Sequence, residues 1–483
     1  MDIVSLLETL VKGIFEAEEK FLNNPKDFYS LETAVKSTTE AFSAKFLGEI
    51  LSSVNKQIYN CSWRQGNYKV HRNSKRTIIT SVGDVTFDST YYKRKTGEGG
   101  FVSLVEEMIG LEKNERFSEA AEVLLLTEAL KTSYQEATRV LPSKQRISKT
   151  TVMNKVHQLA EEIEYKAPEE IKKVDYLYIE ADEDHVAEQH GDNTENNKSF
   201  ISKLVYVYEN KQDVKGSKDK KELVNKFYFS GLYPGSDGNE KLWKNVQNYI
   251  DKTYDTESLK RVFISGDGAP WIKNGANILN NALFCADKYH LMKYINEAAA
   301  QMLDEKDIAK DELWHLLYSK KPKAKERFEA YMDQMMKSAK KPERIEKLKT
   351  YVLGNWGAVR RTLRNKLVNG CSAESHVSHV LSDRLSSRPM GWSQTGADRM
   401  SKLRCYERNY GRENIIELVR CSKKERKLKA TGTDDVSVKK VSMREIMTDH
   451  YDQAKSYIER IQAHIPGLTA KKSIAIREQL GML

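Results

Sequence analysis

Between residues 175 and 267 the chain breaks into short apolar runs, and two of them stop at an aspartate. These are Asp175-Tyr-Leu-Tyr-Ile-Glu-Ala-Asp182 and Lys260-Arg-Val-Phe-Ile-Ser-Gly-Asp267. Runs this short, rich in β-branched and aromatic residues, read as buried strands. Lys203–Glu209 (KLVYVYE) and Lys226–Leu232 (KFYFSGL) are further candidates, while Leu242–Tyr254 keeps a helical period. Strand and helix signals in alternation constrain this stretch to a mixed sheet with helical cover. No internal repeat and no low-complexity tract is present, which excludes solenoids and long disordered arms.

The flanks have a different grammar. Residues 1–60 are helical by period, with Phe28, Leu31, Ala34 and Val35, then Ala41, Phe42, Phe46 and Ile50, on the apolar stripe. Residues 61–116 hold a β-hairpin region. Arg76 to Tyr92 reads as two strands about Gly83-Asp84, with basic flanks at Arg72, Lys75, Arg76, Lys93, Arg94 and Lys95. Residues 117–165 carry helices over Ser118–Leu130, Ser133–Leu141 and Ser148–Ile163, the last capped by Ser148. A short helix, a turn, then a helix opening on Lys149, Thr150, Thr151 and Asn154 is the layout of a helix-turn-helix DNA reader. After a linker at 166–170, α/β text spans 170–290 and resumes at 369–430, where it ends on a basic segment. The intervening 291–368 is helical and charged, and 440–483 reads as two more helices.

Charge points to the partner. Lys and Arg total 79 against 69 acids in 483 residues, a net charge of +10, concentrated in runs such as Arg420–Lys429 and Lys320–Arg327. That favours a polyanion, most often nucleic acid. No run approaches the roughly 18 consecutive apolar residues of a membrane span, and the start reads as an amphipathic helix, not a signal peptide. Five scattered cysteines without a CxxC pair fit reduced thiols in a cytosol, and exclude a disulfide scaffold or a cysteine zinc finger.

The acids carry the chemistry. Asp182 is followed by Glu183, Asp184 and His185, and Asp267 lies between two glycines in GDGAPWIK. Ligand-binding and catalytic groups gather at the carboxyl ends of strands in open α/β sheets. Converging carboxylates repel, and hard divalent cations, Mg²⁺ or Mn²⁺, offset that repulsion. Two such ions are the device of in-line phosphoryl displacement. Asp287 and His290, at i, i+3, share a face if the segment is helical; metal binding together with Cys285 is one reading, and a hydrogen-bonded structural pair the favoured one. Glu374 follows Ser372 at the start of an amphipathic stretch, a placement that capping by Ser372 also explains. Arg384, Arg388 and Trp392 stand in a Gly/Ser-containing loop suited to phosphate contact and base stacking.

The ordered set of a strand-end Asp, GDGAPWIK, DKYH, a helical interval and CSAESHVSHVLSDRLSSRPMGWS resembles bacterial insertion-sequence transposases of the ISLre type, distant relatives of the Mutator-like DDE transposases. The hairpin text RTIITSVGDVTFDSTYYKR is similar to their N-terminal region, and the resemblance runs over roughly residues 60–430. It implies an α/β RNase H-like catalytic domain interrupted by an all-α insertion, with an α-helical/β-hairpin N-terminal DNA-binding region and a helical C-terminal tail. Asp182, Asp267 and Glu374 would be the three catalytic, metal-holding carboxylates, with Asp184 the rival for the first. Asp287 and His290 would match an accessory (C/D)xxH signature. The implied reaction is two-metal cleavage of double-stranded DNA at the element's terminal inverted repeats, followed by transfer of the freed 3′-hydroxyl to target DNA. A dimer or higher oligomer acting in the bacterial cytoplasm, at the nucleoid, is expected. An RNase H-like nuclease or resolvase that never joins strands is the first alternative, and a non-catalytic helix-turn-helix regulator the second.

Overall fold

The structure is a computed structural model that describes residues 3–95, 100–112, 114–163, 165–189, 199–216 and 221–431, so the helices expected over 440–483 lie outside the described residues. The chain divides into two compact units. One holds residues up to 129, 133–152 and the chain from 423, and the other holds 130–132 and 153–422.

In the first unit α1 (Ile3–Asn23) packs along α2 (Phe28–Asn60), which opens where the Asp27 carboxylate accepts the Ser30 amide. After α3 (Ser62–Asn67) come β1 (Tyr68–Thr80) and β2 (Gly83–Arg94), an antiparallel hairpin, with β3 (Val102–Ser103) on the far edge of β2. The hairpin reverses at Gly83, whose φ of +120° suits glycine. Val54, Ile78, Val85, Phe87 and Val105 form the core beneath it. Helix α2 comes so close to β2 that a Cβ on Gly48 would meet the Thr86 carbonyl at 2.4 Å. The unit continues with α4 (Leu104–Met108), α5 (Glu119–Ala129), α6 (Tyr134–Ala137) and the start of α7 (Lys149–His157). The helix expected over 133–141 thus closes after one turn, and the Ser148 hydroxyl accepts the Thr151 amide at the head of α7.

In the second unit β4 (Tyr176–Ala187), β5 (Ser199–Tyr208) and β8 (Phe227–Gly231) form an antiparallel meander, with a separate ribbon of β6 (Asn210–Asp213) and β7 (Lys221–Val224) between β5 and β8. Then α8 (Gly235–Thr253), β9 (Arg261–Gly266), α9 (Pro270–Ile278) and β10 (Ala282–Ala286) follow. The sheet order is β10-β9-β4-β5-β8, with β9 parallel to β4 and β10 parallel to β9. The first strand of the unit therefore stands at the centre, with antiparallel partners on one side and parallel ones on the other.

Beyond β10 the chain is helical through α10 (Lys288–Ala299), α11 (Lys306–Tyr318), α12 (Ala324–Ser338), α13 (Pro342–Gly354) and α14 (Trp356–Arg364). It continues in α15 (Ala373–Val377), α16 (Asp383–Leu385), α17 (Gln394–Tyr410) and α18 (Ile415–Thr431). Leu177 and Ile179 of β4, Ile264 of β9, Trp243 of α8, Leu313 of α11, Phe328 of α12 and Leu348 of α13 belong to one continuous buried cluster. Alternation along β4 thus gives one face to that core, through Leu177, Ile179 and Ala181. It turns Tyr178, Glu180, Asp182 and Asp184 to the other face.

Candidate active site

Asp182 does not close its strand, as its sequence context implied. β4 runs on to Ala187 and pairs Asp182 with Leu204 of β5. The last rung between β4 and β9 is Glu180–Ser265, so Asp182 stands just past the end of β9. Asp267 follows β9 directly, and Asp287 follows β10, its amide donating to the Gly266 carbonyl at 2.9 Å. A Cβ on Gly266 would meet the Ala181 carbonyl at 2.8 Å, so glycine lets β9 close on β4 beside Asp182. Asp267 and Asp287 therefore stand at the carboxyl ends of β9 and β10, and Asp182 lies level with Asp267 inside β4, so the three aspartates follow one another across neighbouring parallel strands.

Their electrostatics follow from that crowding. Burial pushes the Asp182 carboxyl up to about 6 and the charge of Asp267 adds to the rise, while the Glu183 amide and His290 oppose it. The Asp267 carboxylate accepts the Ala269 amide at 2.9 Å, which fixes the turn into α9. Asp287 caps α10 through the Tyr289 amide and accepts from His290 Nδ1 at 2.8 Å. That bond, with the charges of Asp287, Asp182 and Asp267, holds the imidazole above its ordinary value against the effect of burial. Cys285 is buried, and that burial pushes its thiol up to about 11.

Glu374 is brought to this end of the sheet by α15, which packs on β4. Ser372 does not cap that helix through its hydroxyl. Instead its amide and hydroxyl both donate to Glu180, at 2.5 and 3.1 Å. The buried Glu180 also accepts from Tyr206 and Tyr208 of β5 and pairs with Lys211 of β6 at 3.0 Å. Burial alone would raise the Glu180 carboxyl, but Lys211, the two phenols and the Ser372 amide together hold it below its ordinary value. The Lys211 ammonium further donates to the Gly370 carbonyl. Cys371, between these anchors, feels the charges of both Glu180 and Asp287. The other end of the segment is tied as well, since the Ser386 hydroxyl donates to both oxygens of Asp184 at 2.9 Å. Of the row Glu180, Asp182 and Asp184, the outer two hold the segment that carries Glu374 and the middle one faces Asp267. Glu374 itself is exposed, and among the described residues no three His, Cys, Asp or Glu side chains are gathered closely enough to hold a metal ion as they stand.

Two groups from the helical interval border the acids and were not legible in the sequence. Tyr351 of α13 is buried, which raises its phenol, with the charges of Asp287 and Asp267 adding to the rise, and its hydroxyl has no hydrogen-bond partner among the described residues. Asn355, between α13 and α14, donates to the Tyr351 carbonyl at 2.8 Å. Its buried Oδ1, also without a partner among the described residues, lies 3.3 Å from where a Cβ on Gly268 would stand. Period alone marks this stretch as an amphipathic helix and gives no hint of a site.

The expected DNA contacts divide. Lys149, Thr150, Asn154 and Arg388 are exposed, and Thr151 is half-buried with its hydroxyl on Ser148. Arg384 and Trp392 are corrected: both are buried, the guanidinium over the indole at 4.7 Å and the indole N–H on the Leu385 carbonyl at 3.1 Å, so neither ring face nor guanidinium is open to a base or phosphate. Arg76 is half-buried and engaged, donating to the Glu115 carbonyl at 2.5 Å beside Glu106.

Residues 21–423 match the model of an uncharacterised protein family, UPF0236. The chain belongs to this family. A UPF0236 protein of Caldanaerobacter subterraneus subsp. tengcongensis, whose name covers eleven loci, is 31% identical over 400 residues, 83% of this chain and 82% of that relative. A second UPF0236 protein of the same bacterium, covering four loci, is 32% identical over 399 residues, 82% of this chain and 81% of the relative. Among solved structures, the Drosophila P element transposase strand transfer complex aligns with 68% of this chain and 84% of that chain, at 11% identity and a TM-score of 0.21, too slight a likeness to bear on fold or function. Among the described residues no helix of this UPF0236 chain is long and apolar enough to cross a membrane.

Proposed function

We propose that this UPF0236 protein is a DDE-type DNA transposase of an insertion sequence, cutting DNA at the element's ends and transferring the freed 3′-hydroxyl strand to target DNA. The observation that carries the reading is the meeting of Asp182, inside β4, with Asp267, at the end of the neighbouring β9, close enough that the charge of Asp267 raises the proton affinity of Asp182. Two like charges held together in a half-buried place, with hard oxygen donors, suit Mg²⁺ or Mn²⁺. Asp182 and Asp267 would hold the ions, with Glu374 joining from α15. Ions held there would supply activation of the attacking oxygen and stabilisation of the leaving one. The chain's own part is to fix the two aspartates on neighbouring strands, and to tether the segment that carries Glu374 to β4 through Glu180 and Asp184.

Two further observations support the reading. A first strand at the centre, a meander on one side and two parallel strands on the other is the arrangement expected of an RNase H-like core, and the helices over 288–364 fall between the second and third acids as an all-α insertion would. A gene whose relatives occupy eleven and four loci of one genome is distributed as a mobile element is.

The test is a cleavage and strand-transfer assay with Mg²⁺ or Mn²⁺ on DNA carrying the gene's own flanks, comparing wild type with Asp267→Asn. Metal-dependent joined products that vanish in the variant are expected. Cleavage without joining would favour a nuclease, and DNA binding without metal-dependent cleavage a regulator.

A further inference from the structure

Helix α10 has two faces of different character. Leu291, Ile295, Ala298 and Ala299 belong to the continuous core, while Tyr289, Met292, Lys293 and Asn296 are exposed. These last four stand at i, i+3, i+4 and i+7, so they form one stripe along the helix. Tyr289 keeps 52% of its surface open and Met292 44%, although both side chains are bulky. Lys288 and Lys293 are exposed as well and form no ion pair among the described residues. The acid of α10, Glu297, is taken by Arg344 at 2.9 Å. The stripe thus carries cations and open aromatic and thioether surface with no carboxylate to compensate them.

Hydrogen bonds fix the head of the stripe beside the acids. The Tyr289 amide donates to Asp287 Oδ1 at 2.9 Å, and the Asp287 amide donates at 2.9 Å to the carbonyl of Gly266, the residue before Asp267. Gly266 lies in turn against the carbonyl of Ala181, the residue before Asp182, which a Cβ there would approach to 2.8 Å. The His290 ring stands perpendicular to that of Tyr289 with centroids 5.6 Å apart, and it is itself held by Asp287 at 2.8 Å. The phenol ring is therefore braced on one side and open elsewhere.

We propose that Tyr289 is a stacking platform for a base of the DNA strand next to the phosphate brought to Asp182 and Asp267, with Lys288 and Lys293 meeting phosphates of the same strand. This rests on the transposase reading for its substrate and deepens it, since it names the surface along which the strand lies. Carboxylates gathered at strand ends repel a polyanion, so a strand arriving there needs cations close by, and the two lysines supply them. A planar ring between lysines suits a nucleic acid strand, because every base offers a π-face. A stripe with cations and no acid matches a polyanion better than a protein surface of mixed charge.

Full-length wild type, Tyr289→Ala, Tyr289→Phe and the double variant Lys288→Ala/Lys293→Ala are titrated in EDTA onto flank DNA whose element end is left single-stranded. Thermal melting checks the fold, and all variants should melt with wild type because the side chains are exposed. Tyr289→Ala is expected to bind about 5- to 150-fold more weakly, the worth of one stacked base, while Tyr289→Phe stays within about twofold of wild type. The double lysine variant should lower the slope of log affinity against log salt by about 1.4. Binding by Tyr289→Ala within about twofold of wild type overturns the proposal, as does an equal loss in Tyr289→Phe, which would assign the effect to the hydroxyl. Cleavage with Mn²⁺ is measured alongside for wild type and Asp267→Asn. A wild type that cleaves no faster than Asp267→Asn overturns the transposase reading, whereas the affinities decide the stacking role whatever that outcome.

Discussion

At the scale of single residues, Asp182 is set against the stability of its own fold. Its carboxyl rises from 3.8 in the unfolded chain to about 6 in the folded one. Between those values the native state binds the extra proton, so the group's effect on stability worsens as pH rises and is fully unfavourable above about 6. Asp182→Asn should therefore stabilise the protein by about 1–3 kcal/mol at neutral pH, with the gain gone below about pH 4, while abolishing cleavage. Urea titrations at pH 7.5 and pH 4 would show it, and equal gains at both would refute the assignment. The same geometry separates the rivals for first acid. Asp184 is occupied by Ser386, so Asp184→Asn should leave cleavage within about tenfold of wild type, the worth of a neutral hydrogen bond, where Asp182→Asn leaves none. A kinetic comparison of the two variants decides between them. Asp182 and Asp267 could be found from the sequence because each sits where an apolar run gives way to polar residues. Tyr351 and Asn355 could not, because what marks them is an absent partner, and absence of a partner has no signature along a chain.

At the scale of elements, the placement of α15 depends on a buried ion pair with several donors attached. Removing one member of such a network leaves the other charge uncompensated. Glu180→Gln should cost about 3–5 kcal/mol and expose the Ser372 amide. Hydrogen exchange at Ser372 and over Ala373–Val377 should accelerate well beyond that of β4, and uniform acceleration of both would deny the local role. Part of this was open to reading, since Glu180, Asp182 and Asp184 alternate and must share a strand face. The rest was hidden, because Tyr206, Tyr208 and Lys211 lie on other strands and the sequence shows them only as β-formers and a cation. The stretch around Arg384 misled for a related reason. Ser, Gly and Pro gave it the composition of an exposed loop, while the indole of Trp392 found a buried acceptor and drew the guanidinium over it.

At the scale of the molecule, the helices between β10 and α15 are not an appendage. Leu313, Phe328 and Leu348 share one core with Leu177 and Ile264 of the sheet. Replacing residues 300–350 by a short linker should therefore abolish cooperative melting of the second unit, whereas an independent insert would leave the sheet's transition intact; calorimetry of the deletion would tell. Strands β4, β5, β8 and β9 and helix α8 were legible because the hydrophobic period changes at their boundaries, whereas the short β6, β7 and β10 were not anticipated. The pairing order was not, for a sheet's neighbours are chosen by contacts that period does not encode.

The two serines on β4's acidic row also work as a ruler. Residues four apart on a strand are about 13 Å apart, so the chain from Ser372 to Ser386 must fold to that span whatever its side chains. Inserting or deleting a residue within it would pull one serine off its carboxylate or move Glu374 along the row. Across UPF0236 proteins, length between these two positions should thus be held more strictly than residue identity, and gaps should fall outside the interval. A relative that breaks this spacing should also have lost the matching acid.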